Sequence, residues 1–117
     1  MMRRLLLLAV LLLCAANARS AEQDVRSYID GNMIYGYLVH GNGAGTAYIL
    51  GIHDGIQIAQ YHAPGGERLY CPRQGVTGGE LADVVQRYLE ENPDVRGYPA
   101  VIIIVRAFVL AFPCEKS

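Results

Sequence analysis

Two cysteines, Cys71 and Cys114, bracket the stretch that most restricts what this chain can fold into. Between them run Pro72-Arg73-Gln74-Gly75-Val76-Thr77, an amphipathic helix, the breaker Asn92-Pro93, and an apolar segment ending in Ala111-Phe112-Pro113. Were the two sulfurs joined, the stretch would be a covalently closed helical hairpin, and the earlier part of the domain would have to pack on it. The central helix is the best-specified element. Thr77 followed three residues later by Glu80 is a capping box, in which each side chain can satisfy a backbone N–H that a helix start leaves free. Leu81, Val84, Val85, Tyr88 and Leu89 then fall at i, i+3, i+4, i+7 and i+8, one apolar stripe. Asp83, Gln86, Arg87, Glu90 and Glu91 take the opposite face, with Asp83 and Arg87 spaced as a favourable i, i+4 pair. Pro93 disfavours helix at Asn92 and stops the run. Gly78 and Gly79 weaken the first turn. They mark either a plain loop-to-helix transition or a place where a partner backbone comes close.

Residues 1–20 read as a secretory signal peptide. Arg3 and Arg4 give a positive start, Leu5 to Ala16 is an unbroken apolar run, and Ala16-Asn17-Ala18 is a small-x-small cleavage site. A membrane anchor is the rival reading, but spanning takes about 20 apolar residues. A lipoprotein site at Cys14 would want a small residue where Leu13 stands. Cleavage after Ala18 leaves eight Lys/Arg against eleven Asp/Glu, a net charge of −3. No Lys/Arg cluster supplies the footprint of nucleic-acid binding. Cleavage also removes Cys14, and the even count that remains, Cys71 and Cys114, points to a disulfide in a small exported domain. Two free thiols are the alternative, which an oxidising compartment disfavours. The closed loop of about 44 residues is worth roughly 4 kcal/mol in the chain-entropy account, against a net stability on the order of 5–10 kcal/mol.

Residues 21–117 are then one domain. Ala21 to Arg26 is polar and reads as a frayed start. Ser27 is placed to cap a first helix from Tyr28 to about Val39, with a strand over Met33–Val39 as the competitor. His40 to Gly45 is a glycine-rich turn. Thr46 opens a second helix to about Tyr61, striped by Tyr48, Ile49, Ile52, Ile56 and Ala59. Gly51 and Gly55, four apart on it, permit close helix–helix contact. His62 to Gly75 is a long loop around the turn Pro64-Gly65-Gly66, and loops of this length are often functional. The last element spans Pro99 to Phe112. Its β-branched run Val101–Val105 favours a strand by propensity, but the length between prolines suits a buried helix. Arg106 is its one charge, so the element is expected to be largely wrapped by the others. The predicted fold class is all-α: a small four-helix domain closed by one disulfide.

No reaction centre assembles from these residues. His40, His53 and His62 lack any paired metal-ligand spacing, so no metal or cofactor is expected. Cysteine catalysis would need a free thiol beside a histidine base. His53 and Asp54 are adjacent and point about 100° apart on a helix. Gly41-Asn42-Gly43-Ala44-Gly45 follows no convincing strand and reads as a turn rather than a nucleotide loop. Glu80 and Asp83 share a face that is solvated by default.

Four stretches together carry a resemblance: Tyr48-Ile49-Leu50-Gly51-Ile52-His53-Asp54, Cys71 to Thr77, Val84-Val85-Gln86-Arg87-Tyr88-Leu89-Glu90-Glu91-Asn92-Pro93, and Ala107-Phe108-Val109-Leu110-Ala111-Phe112-Pro113-Cys114. From about Gly31 to Cys114 the chain resembles the Rap/Tai immunity proteins, small periplasmic proteins that protect bacteria from peptidoglycan amidase effectors delivered by type VI secretion. The resemblance implies a mostly helical, non-enzymatic domain, often a homodimer, that plugs its effector's catalytic cleft. By spacing, Cys71 and Cys114 match the family's later cysteine pair. Two further family cysteines are absent: Tyr37-Leu38 and Gly45-Thr46 stand in those regions. Glu80 stands where the family often has Gln, and either completes the capping box.

The leading expectation is a periplasmic immunity protein, with no membrane or nucleic-acid partner after signal cleavage. Its effector-contact candidates are Glu67, Arg68, Tyr70 and Arg73, since exposed Tyr and Arg are typical interface anchors, with His40–Gly45 the second-choice surface. An acid-stress-type periplasmic helical chaperone is the alternative, exposing apolar surface as carboxylates protonate. A small hydrolase using His53 or His62 ranks last.

Overall fold

The computed structural model describes residues 1–2 and 26–115. The Arg3-Arg4 start, the apolar run, the cleavage site and most of the polar stretch 21–26 lie outside the described residues. Among the described residues are four α-helices: α1 (Gly31–Val39), α2 (Gly43–His62), α3 (Gly78–Glu91) and α4 (Ala100–Ala111), with a 3-10 turn at Pro93–Val95. No strand occurs among them. One isolated β-bridge joins Asp30 to Pro99. Cys71 and Cys114 are bonded.

α3 touches each of the other helices, for the reason its sequence gives. Thr77 Oγ1 accepts from the Glu80 N–H, and the Glu80 carboxylate accepts from the Thr77 N–H at 2.7 Å. From that start Leu81, Val85 and Leu89 project inward and are fully buried, each contributing roughly 1.5–3 kcal/mol through burial. They meet Ile34 of α1, Ile49 of α2, and Ala100, Ile103, Ile104, Ala107 and Phe108 of α4 in one core. The helix stops at Glu91, where the Asn92 N–H and side-chain amide both donate to the Tyr88 carbonyl. Asp83 and Arg87 are both exposed, and the ion pair found among the described residues is Arg73–Glu80 instead.

The first helix starts later than predicted. Asp30, not Ser27, caps it by accepting from the Met33 N–H at 2.9 Å. The preceding backbone is committed elsewhere: Ala100 N–H donates to Ile29 C=O and Gly31 N–H to Tyr98 C=O. The Ser27 hydroxyl donates to the Ile29 carbonyl at 2.8 Å. α2 begins earlier than predicted, because the Asn42 side chain caps it through the Ala44 N–H. The turn therefore narrows to His40–Asn42, with Gly41 at φ +64°.

Gly51 and Gly55 do not mediate a helix contact: both are exposed, and a Cβ at either would meet nothing within 4 Å. The close approach on α2 is at Gly45, where an added Cβ would sit 2.9 Å from Tyr37 Cβ of α1. Gly78 faces the Leu50 side chain of α2, so the contact it allows is intramolecular. α4 is covered on one face only. It packs mainly on α3 and lightly on α1 and α2, which leaves Arg106, Val109 and Leu110 exposed. No helix of the described residues is long and apolar enough to cross a membrane.

Candidate functional site

Between α2 and α3 the chain runs without regular structure from Ala63 to Thr77, and its course is set by one inward residue. Tyr70 is the sole member of the buried hydrophobic core that lies outside the helices. Its ring packs against Phe108 with centroids 5.1 Å apart. Its hydroxyl shares a 2.9 Å hydrogen bond with His53 Nδ1 on α2. Burial pushes the Tyr70 phenol above its ordinary pKa; Gln57 opposes this and Asp54 adds to it. An aromatic ring with a satisfied polar tip is what a buried tyrosine requires, and this one bolts the loop to the core.

On either side of Tyr70 the ties continue. Just before it, the Leu69 N–H donates to Gln60 Oε1 of α2. Just after it, the Cys71 N–H donates to the Phe112 carbonyl at 2.8 Å, and Cys71 is bonded to Cys114 beyond the end of α4. Cys114 Sγ lies 3.8 Å from the Arg68 carbonyl oxygen; as a disulfide sulfur it has no proton to donate. Residues 64–69 are all exposed, so an outward-facing surface is carried on a backbone held at both ends. Beneath it, Ile56, Ala59 and Gln60 of α2, with Ala63 just past its end, face Pro64, Glu67, Arg68 and Leu69 across a groove of about 350 Å³. Leu69, which sequence reasoning passed over, is 57% exposed.

The four contact candidates therefore separate. Glu67 and Arg68 are exposed on the groove rim. Tyr70 is 1% exposed and cannot meet a partner at the surface. The expectation of an exposed tyrosine is corrected here: with His53 and Phe108 as inward partners, this side chain is more stable inside. Arg73 is exposed but paired with Glu80, which ties the loop to the first turn of α3. Glu80 thus joins cap and loop. Hydrogen bonds from the Thr77 backbone and side chain, reinforced by Arg73, hold its carboxylate below the usual range. In the second-choice stretch, His40 to Ala44 are exposed, but Gly45 is buried against α1.

Two signals could have separated Leu69 from Tyr70. In extended chain, neighbouring side chains point to opposite sides, so one of the two had to face inward. The histidine at position 53, half-buried on α2, supplies the polar partner that favours the tyrosine. His62 lies edge-on against Tyr61, with ring centroids 5.1 Å apart. No group of three or more His, Cys, Asp or Glu able to hold a metal occurs among the described residues. A second, smaller groove of about 190 Å³ lies between α3 and α4, bordered by Tyr88, Arg87 and Leu110.

Comparison with known proteins adds the family. The family model described as Rap1a immunity proteins matches residues 8–114, nearly the whole chain. Neither the curated proteins nor the solved structures give a match. A helical domain with the Cys71–Cys114 bond and a family match of this extent leads to one conclusion: the chain belongs to the Rap1a immunity protein family.

Proposed function

We propose that this protein is a periplasmic immunity protein that binds a cognate peptidoglycan amidase effector delivered by type VI secretion and blocks its catalytic cleft. The observation that carries the steric mechanism is the pinned loop: residues 64–69 stand exposed while Leu69 and Tyr70 are hydrogen-bonded to α2 and Cys71 is bonded to Cys114 beyond the end of α4. An inhibitor that performs no chemistry gains affinity by being rigid before it binds, because little ordering is left to oppose association. Glu67, Arg68 and Leu69 are the contacts this reading assigns. The apolar Leu69 stands exposed beside the charged Glu67 and Arg68, as an anchor does beside a polar rim. Export to the periplasm is supported by the Arg3-Arg4 start, the apolar run after it and the disulfide.

The test is co-purification of the exported protein with the product of the adjacent gene. Binding of a cell-wall amidase, lost on replacing Arg68 and Leu69 together by alanine, supports the reading. A neighbouring product that is no cell-wall hydrolase and does not bind defeats it.

A further inference from the structure

We propose that the Cys71–Cys114 bond is a redox gate on the contact surface: oxidised, it holds residues 68–76 in binding shape; reduced, it leaves the helical core standing and the surface loose. The inference rests on the reading of this loop as the effector-contact surface. Both sulfurs sit in irregular chain, Cys71 in the α2–α3 connection and Cys114 past the end of α4. No helix hydrogen bond holds either residue in place. Up to Tyr70 the loop is held to α2 by Leu69 and Tyr70; beyond it, loop and tail are fastened to each other, through Cys71 N–H to Phe112 C=O, the contact of Cys114 Sγ with the Arg68 carbonyl, and the bond itself.

The core is built differently. Apart from Tyr70, its buried residues all lie in α1 to α4, and none depends on the sulfurs for its contacts. Breaking the bond therefore loosens the loop before it loosens the helices, the pattern of local rather than global opening. A dithiol can make the break, since both cysteines are half-buried rather than enclosed. A reagent thiolate attacks one sulfur and the S–S bond opens to a mixed disulfide. The reagent's second thiolate then closes on the first, releasing both cysteines as thiols. Two electrons and two protons pass to the protein, and the reagent leaves as its cyclic disulfide. When only a fraction of molecules holds the binding-competent loop, apparent affinity falls by that fraction. A copy in a reducing compartment would thus be folded and a poor inhibitor, and oxidation after export would switch it on.

Hydrogen–deuterium exchange on the full exported chain, oxidised and in dithiothreitol, tests the gate without any partner. Exchange should rise at least tenfold at Cys71 and Val76 on reduction, while Val85 and Leu89 in α3 still exchange far more slowly than an unfolded chain. Unchanged exchange in the loop overturns the proposal. So does free-chain exchange in α3 together with the loop, because the bond would then hold the whole fold. Titration against the cognate amidase supplies the second arm: the reduced protein should bind at least tenfold more weakly, and equal affinity overturns the gate. An oxidised protein that binds no amidase defeats the functional reading alone, and the exchange arm still decides whether the bond controls the loop.

Discussion

At the scale of single residues, glycines test how tightly the chain is packed. An added Cβ at Gly31 would come within 2.7 Å of the Arg96 backbone and 2.5 Å of Ile103 Cδ1. Backbone cannot yield as a side chain can, so Gly31→Ala should cost about 1–3 kcal/mol. At Gly51 and Gly55 nothing lies in the way. Alanine there should stabilise α2 by about 0.5–1 kcal/mol each. Urea unfolding of the three variants reads both signs. Glu80 makes a pH prediction. Its folded pKa is depressed, so its contribution is complete above the ordinary value of 4.5 and is lost as pH falls through the lower folded value. Glu80→Gln keeps an acceptor for the Thr77 N–H but cannot titrate. The melting temperature of this variant should fall less steeply than wild type below about pH 4.5.

At the scale of elements, α3 was legible because its capping box, stripe and breaker all agree and all act locally. Thr77→Ala should cost about 1 kcal/mol, measured by denaturant midpoint at unchanged slope. The start of α1 was not legible. Ser27 and Asp30 are both good caps, and the choice between them is made by hydrogen bonds to Tyr98 and Ala100, some seventy residues away. The cover on α4 was misread for a similar reason. An apolar run says that a helix is buried somewhere, but only its neighbours decide how much of its circumference they reach, and Leu110 stays 70% exposed. In the loop, charge and aromaticity singled out the segment. They could not say that Tyr70 turns inward, because its partner His53 lies on another element. Phe108 joins this loop to the core through contacts with Tyr70, His53 and Phe112. Phe108→Ala should therefore cost about 3–5 kcal/mol, read by chemical denaturation.

At the scale of the whole molecule, the domain is small enough that one covalent tie matters. Joining residues 43 apart in sequence removes chain entropy from the unfolded state worth roughly 4 kcal/mol. Replacing both cysteines by serine should cost about that much, and the remaining helical core should still unfold cooperatively. The same bond fastens the exposed loop, so stability and the proposed inhibition draw on one feature while the side chains that serve them differ. The central claim is that a rigid loop on a Rap1a-family frame closes an amidase cleft. Its most direct test is peptidoglycan hydrolysis by the proposed cognate amidase, with the oxidised protein added at increasing molar ratio. The account predicts loss of activity complete near one equivalent, and loss of that inhibition when Arg68 and Leu69 are replaced by alanine. Full hydrolysis in the presence of excess intact protein would contradict it.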